Sequence, residues 1–257
     1  MPSVRDILTE WGALAHGTTI CAAKNLAVRL QKFSVAEAAR WFTISTGFAE
    51  DAEFWLSPEN FPPGGKMLLT ALNPATPKSG LKIVILAPMP GLQLFVGGAD
   101  CRVFIGATPH FVMHAMLWGG STLVIGDDAT CNGARAVLQR SSLIIGRDAM
   151  LSDELLLQTS QQHTLVDLAS MTALNQPHET MVIGEHVWLS RRSVVMPGVR
   201  IGKGAVLAAG AVATRDILPC TIAAGVPAAI IRDNISWCRN DRNEVDGVEL
   251  AAAGILP

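Results

Sequence analysis

Tyrosine is missing altogether from the 257 residues, and phenylalanine and tryptophan number only 8 and 6. A core built from this chain must be filled by aliphatic and small residues, and 49 % of the sequence is apolar. An excess of charge is missing too. The 20 Lys and Arg against 22 Asp and Glu leave a formal balance of −2, with no long basic run. That excludes the broad electrostatic footprint of a nucleic-acid-binding protein. No apolar run approaches the roughly 20 residues that span a bilayer. The opening MPSVRDILTEWGALAH interrupts its apolar residues with polar ones, unlike a secretory leader. The five cysteines, Cys21, Cys101, Cys131, Cys220 and Cys238, are odd in number, scattered and never spaced as CxxC. Reduced thiols in a soluble, cytoplasmic protein are expected.

What is present is a period of six. From Ile183 the chain reads IGEHVW LSRRSV VMPGVR IGKGAV LAAGAV ATRDIL. The first positions are Ile183, Leu189, Val195, Ile201, Leu207 and Ala213; the fifth are Val187, Ser193, Val199, Ala205, Ala211 and Ile217. Second positions favour small residues, among them Gly184, Ser190, Gly202 and Ala208. Neither a helix nor an alternating strand has this period. Short strands separated by corners do, and stacked coils of that kind form a parallel β-helix. Upstream the signature is degraded. Ile105, Ile125 and Ile145 stand twenty apart, so those coils carry about two residues beyond three six-residue sides. Residues 164–181 break the register for longer, as a loop excursion.

Before the coils, residues 1–50 read as helical. Ser3 is placed to cap a first helix, and Ser34 with Glu37 forms a capping box ahead of VAEAARWF. Such a segment reads as a cap that shields the open end of the first coil, with an acceptor- or partner-binding arm as the alternative. Dense proline and glycine over residues 57–91 mark a linker or irregular wall, with Leu81–Leu86 as the entering strand. The expected organisation is a helical region and linker over 1–80, a β-helix over 81–232 and a polar tail over 233–257.

The segment from Ile183 to Arg232, IGEHVWLSRRSVVMPGVRIGKGAVLAAGAVATRDILPCTIAAGVPAAIIR, resembles the closing pattern IGxxVWIGxxAxIxPGVxIGxxAVIGAGSVVTKDIPPxTIVAGNPAKVIR. That pattern closes the left-handed β-helix acyltransferases of the hexapeptide-repeat superfamily. The resemblance implies an all-β fold, a left-handed parallel β-helix, with the helical N-terminal region and short C-terminal tail as additions. It also implies acetyl-CoA as acyl donor and a homotrimer with active sites between subunits. The N-terminus and early coils look most like enzymes that O-acetylate capsule, lipopolysaccharide or exopolysaccharide.

Transfer of an acetyl group to a hydroxyl needs a base, and histidine suits it, with an ordinary pKa of about 6.5. The segment IGRDAMLSDELLLQTSQQHTLVD is similar to the family's IGxxCxxSSDIxIRTSDGHxIxD, and His163 falls on the family's catalytic histidine. The family's Asp and Gly before that histidine are Gln161 and Gln162 here. Glu154 keeps an acidic position, so Glu154 or Asp167 is left to orient the imidazole. The resemblance places Trp188, Ser190, Ala208 and Ala209 along the cofactor groove. Thr214, Arg215 and Arg232 fall at the CoA phosphates, with Lys203 nearby and Arg191 and Arg192 as substitutes. Val226 and Ala229 depart from the pattern there. Asn175 and His178, on the excursion, are candidates for the saccharide acceptor.

His186 reads as an outward side chain on a coil face. His110 and His114, in HFVMH, would share a face if helical, but HFVMH lacks the acid of HExxH; they read as two polar residues beside an apolar strand, and no metal is expected. Other readings stay open: transfer to an amine, as in N-acylation of an amino sugar or a serine-acetyltransferase-like reaction, and a non-catalytic scaffold.

Overall fold

The computed structural model describes residues 1–57, 67–175, 179–242 and 244–256. Three sides of short parallel strands wind into a left-handed β-helix. On the first side, strands Lys82–Ile85, Arg102–Ile105, Thr122–Ile125, Ser142–Ile145, Thr180–Ile183 and Arg200–Ile201 stack in one column. Ile85, Ile105, Ile125, Ile145, Ile183 and Ile201 therefore lie one above the next. The twenty-residue interval of the early coils and the eighteen-residue interval of the late ones are both built into this register.

The hexad follows from the coil geometry. First and fifth positions point inward, and from Val187 to Ile217 none is more than 5 % exposed. Second positions sit where a side of one coil meets the corner of the next. A Cβ on Gly184 would stand 2.9 Å from the Ile201 carbonyl oxygen. Fourth positions turn the corner in the left-handed region: Asp128, Asp148, His186, Arg192, Gly198, Gly204 and Gly210 all have φ between 52° and 75°. Asp and Gly tolerate this backbone; His and Arg hold it at a cost. In the early coils the corner between second and third sides is drawn out into strands His110–Trp118 and Thr130–Gln139, with a register shift between Cys131 and Ala134.

The coil stack begins earlier than residue 81. Phe42–Ile44 pairs in parallel with Met67–Ala71, which pairs with Leu92–Val96, and Glu53–Leu56 pairs with Lys82–Ile85. The boundary at 80 thus falls inside the stack. Residues 1–50 are helical only in short pieces, Val4–Glu10, Ala13–His16, Ala23–Leu26 and Val35–Ala38. Both capping boxes form, at Ser3 with Asp6 and at Ser34 with Glu37. The helix Val35–Ala38 stops there because Phe42 is needed in the core, where it meets Phe54 edge-on at 5.2 Å.

Only residues 31–44 work as an end piece. The segment before them lies along the outer face of the first side. There Val84, Phe104, Val124 and Ile144 point outward and are buried beneath Val4, Leu8, Ile20 and Leu30. Burial of each such aliphatic side chain contributes about 1.5–3 kcal/mol. Polar bonds register the cover. Asp127, 1 % exposed, accepts from the Ala22 amide at 2.7 Å, the Asn25 side chain at 2.8 Å and the Ala107 amide at 2.8 Å. All five cysteines are free thiols; burial pushes Cys101 up to about 11 and Cys131 up to about 12. Among the described residues no helix is long and apolar enough to cross a membrane.

Candidate active site

His163 sits where the third side ends and the chain leaves the coil. Strand Leu155–Gln158 is gripped on both edges, by Thr130–Gln139 and by Val194–Val195. The Thr159 amide donates to the Val137 carbonyl at 3.0 Å, and its hydroxyl meets that of Ser141. A tight turn follows: Gln162 takes φ of 61°, and the His163 amide donates to the Gln161 carbonyl at 2.7 Å. The turn presents the His163 side chain to solvent. Asn175 closes the base of the excursion. Its side-chain amide donates to the His163 carbonyl at 2.8 Å, and its oxygen accepts from the Leu165 amide at 2.9 Å. Asn175 therefore shapes the histidine's backbone. The excursion between them is a small hairpin pairing Val166–Asp167 with Thr172–Ala173. His178 lies outside the described residues.

A cavity of about 210 Å³ opens beside the imidazole. Ser160, Gln162, Thr164 and Asn175 line it from the His163 segment, and Gln139 and Arg140 from the coil before. No carboxylate is among its described lining residues.

Neither acid considered as the partner of His163 is brought to it. Glu154 stands at the other end of strand Leu155–Gln158, bonded to Arg192 at 2.6 Å. Asp167 is held by its own turn, accepting from the Ala169 and Ser170 amides at 2.8 Å. Those bonds lower the Asp167 carboxyl below its ordinary value. The imidazole is exposed, so hydrophobic burial cannot substitute for an orienting acid.

The residues placed at the donor divide between two corners. Ser190 and Ala208 follow columns in which Leu151, Leu189, Leu207 and Ala223 stack, which puts them at the corner between second and third sides. Trp188 lies just before this corner, its indole N–H donating to Ser152 Oγ at 3.2 Å. Ala209 is exposed, and nothing lies within 4 Å of a Cβ added at Gly210. The corner backbone there is open to an extended ligand. Arg191 and Arg192 flank it but are paired with Asp153 and Glu154. Arg232 pairs with Ile222 on the same sheet, beyond Val206 and Trp188.

Thr214 and Arg215, both exposed, belong to the other corner. Leu157, Val195 and Ala213 form one column, so Thr214 and Arg215 leave the third side at the corner that also carries His163, two coils on. Lys203 is tied to Glu185 at 2.9 Å, away from both groups. One chain thus holds His163 and the Trp188–Ala208 corner a full side of the coil apart.

His110 and His114 keep the expected strand setting, and two other sequence expectations change in kind. His110 and His114 lie on a strand, not a helix, where four residues span about 13 Å; they cannot share one metal ion. His186 does point out of its coil, yet it is fully buried. Its Nδ1 lies 2.7 Å from Asp148 Oδ2, and its Nε2 donates to the Trp237 carbonyl at 2.9 Å. The Trp237 ring stacks on it at 4.3 Å and an angle of 5°, and Arg239 reaches Asp148 Oδ1 at 2.8 Å. The tail, expected only to be polar, is a strap that Trp237 and Arg239 fasten to the coil and that ends in the short helix Gly247–Ala252. Its only signal in the sequence was the lone tryptophan in NISWCRN.

Coil, register and hexad define a left-handed parallel β-helix of the hexapeptide-repeat type. Residues 180–215 match the family described as bacterial transferase hexapeptide (six repeats). The chain is similar to acetyltransferases. It is 34 % identical to the polysialic acid O-acetyltransferase of Escherichia coli O1:K1 / APEC, over 49 % of this chain and 41 % of that protein. It is 30 % identical to the galactoside O-acetyltransferase of Lactococcus lactis subsp. lactis (strain IL1403), over 45 % of this chain and 55 % of that one. The chain thus spans roughly half the length of these curated relatives. The solved structure of the polySia-specific acetyltransferase NeuO superposes with a TM-score of 0.63 at 26 % identity, covering 75 % of this chain and 88 % of that one.

Proposed function

We propose that the protein is an acetyl-CoA-dependent O-acetyltransferase that acts on a saccharide hydroxyl, with His163 as general base. The observation that carries this reading is the His163 corner. An exposed imidazole is held by a turn and by Asn175 beside a polar cavity with no carboxylate among its described lining residues, on a coil similar to those of O-acetyltransferases. The acceptor hydroxyl gives its proton to the imidazole while its oxygen bonds to the acetyl carbonyl carbon. The carbon–sulfur bond breaks, and the departing thiolate takes the proton back from the imidazolium. Backbone amides of the corner hold the charge that builds on the carbonyl oxygen. With no carboxylate among the described residues that line its cavity, Asn175 and the 161–163 turn are the groups that position the ring in this reading.

The open corner at Ala208–Gly210, with Trp188 and Ser190 beside it, fits the amide-rich arm of the acyl donor. Thr214, Arg215 and Arg232 are the groups for its phosphates. His163 lies a full side away from the Trp188–Ala208 corner, so the reading places His163 of one chain against the groove of a neighbour, in a homotrimer. The excursion hairpin supports this: Leu165, Leu168, Met171 and Leu174 are 51–84 % exposed, an apolar surface suited to a second chain.

Thiol release from acetyl-CoA with oligosaccharide acceptors tests the reading, wild type against His163→Ala. The expected loss is roughly a hundredfold or more, the scale of positioned acid–base catalysis. Near-wild-type turnover in the variant rejects His163, and turnover with amines alone moves the reaction to N-acylation.

A further inference from the structure

We propose that Trp118 is an aromatic platform outside the His163 cavity, where a second sugar residue of the acceptor packs while the first is acetylated. This rests on the acetyl-transfer reading of His163 and adds a binding position to it.

Strand His110–Trp118 alternates inward and outward residues, and Trp118 is the last to point outward. Parallel pairing sets it beside Gln139 on the next coil. Val137 pairs with Gln158, and the same register carries Gln139 towards Ser160 on the coil of His163. Gln139 and Ser160 both line the cavity beside the imidazole. One column thus runs from Trp118 through Gln139 to Ser160. Two strand spacings separate its ends, about 10 Å. A disaccharide bridges that span and a single sugar does not.

The backbone makes room for the ring. A Cβ on Gly97 would stand 2.3 Å from Cε3, 2.4 Å from Cζ3 and 2.8 Å from Cδ2 of the indole, so any side chain there would push the ring away. Gly119 and Gly120 follow Trp118, and nothing lies within 4 Å of a Cβ added at Gly120. The corner beside the ring therefore carries no side chain to screen it.

Packing alone accounts poorly for a tryptophan at this place. Its Nε1–H is buried and finds no acceptor among the described residues. A buried donor left unmet costs stability, and a phenylalanine would cover Gly97 without that loss. Trp118 is nevertheless only part buried. With its one polar atom shut away, the side chain offers solvent nothing but ring carbon. Beside it the cavity offers the amides of Gln139, Gln162 and Asn175 and the hydroxyls of Ser160 and Thr164. A pyranose uses both surfaces: its C–H face packs on an aromatic ring while its hydroxyls bond to polar groups alongside. Contact with ring carbon takes a neutral or a charged sugar alike.

The test uses the full chain with sialic acid and with galactose, each as monomer, dimer and longer oligomers. Trp118→Phe keeps a flat ring; Trp118→Leu covers Gly97 without one. Loss of the platform predicts a rise of about tenfold in KM for dimers and longer acceptors in W118L, the scale of an aromatic stack. W118F keeps most of the affinity, the loss falls on KM rather than kcat, and KM for the monomer moves far less. Calorimetric binding without donor reads the platform independently of turnover. Affinity that rises from monomer to dimer in wild type but not in W118L, with no thiol release, keeps the platform and rejects the acetyl-transfer reading. No binding of either series to wild type, equal losses in W118L at every length, or W118F as impaired as W118L overturns the proposal. So does a change in the oligomeric state of W118L by sedimentation, which would make Trp118 a contact between chains.

Discussion

At His186 the imidazole is closed in on every side: Asp148 at Nδ1, the Trp237 carbonyl at Nε2, and the indole of Trp237 flat on its face. The ring also holds φ of 52°, a backbone that glycine takes at the equivalent corners Gly198, Gly204 and Gly210. Its contacts must offset that cost of about 1–3 kcal/mol. Asp148 gathers the charge. Burial pushes its carboxyl up, but hydrogen bonds from His186 and Arg239, with the charge of both, outweigh burial and hold it below its ordinary 3.8. A carboxyl lowered by folding stabilises the fold above its unfolded value, and that contribution is lost as pH falls through the lower folded value. Thermal melting from roughly pH 7 to pH 3 should therefore show the gap in Tm between wild type and Asp148→Asn closing below pH 4. A gap constant over that range would show that Asp148 carries no such load. His163 stood out as a candidate from its neighbours in the chain. The burial of His186 was not legible, because Trp237 and Arg239 reach it and its coil neighbour Asp148 only through the strap.

Among the elements, the regular coils were the most readable. Inward and corner positions recur in sequence because each coil repeats the same turn, and the twenty-residue interval of Ile105, Ile125 and Ile145 survives as a literal column. The N-terminal strands Phe42–Ile44 and Glu53–Leu56 gave no such signal. They are three and four residues long and acquire their conformation from pairing with Met67–Ala71 and Lys82–Ile85. Local pattern favoured a helix, and parallel pairing won. The strap is the other element that sequence could not place, since its anchors, Trp237 and Arg239, are isolated side chains with no repeating pattern. Trp237, 7 % exposed, donates from its indole to the His186 carbonyl at 2.9 Å and lies 6.1 Å from Trp188. Trp237→Ala should cost about 3 kcal/mol or more, as truncation of buried aromatics does. Limited proteolysis should then cut the tail after Arg232 while the coil stays intact. A variant as resistant as wild type would mean that the helix Gly247–Ala252 holds the tail without it.

At the scale of the whole molecule, the coil distributes its candidate chemistry over two corners. His163, Thr214 and Arg215 follow the third side; Trp188, Ser190, Ala208 and Ala209 precede it. Sequence alignment to the family named these residues without showing that one chain keeps them apart. The separation follows from counting strand residues between corners, which the hexad already contains. In the proposed trimer, unlike corners of neighbouring chains come together, and catalysis is proposed to happen there. Co-expression of His163→Ala with Ala208→Trp tests it most directly, because each variant alone lacks one half of every site. Random assembly of the two chains leaves about a quarter of the interfaces with both an intact histidine and an open groove. Thiol release from the purified mixed oligomer should therefore recover to about a quarter of wild type. Recovery no greater than that of either variant alone would contradict a site shared between chains.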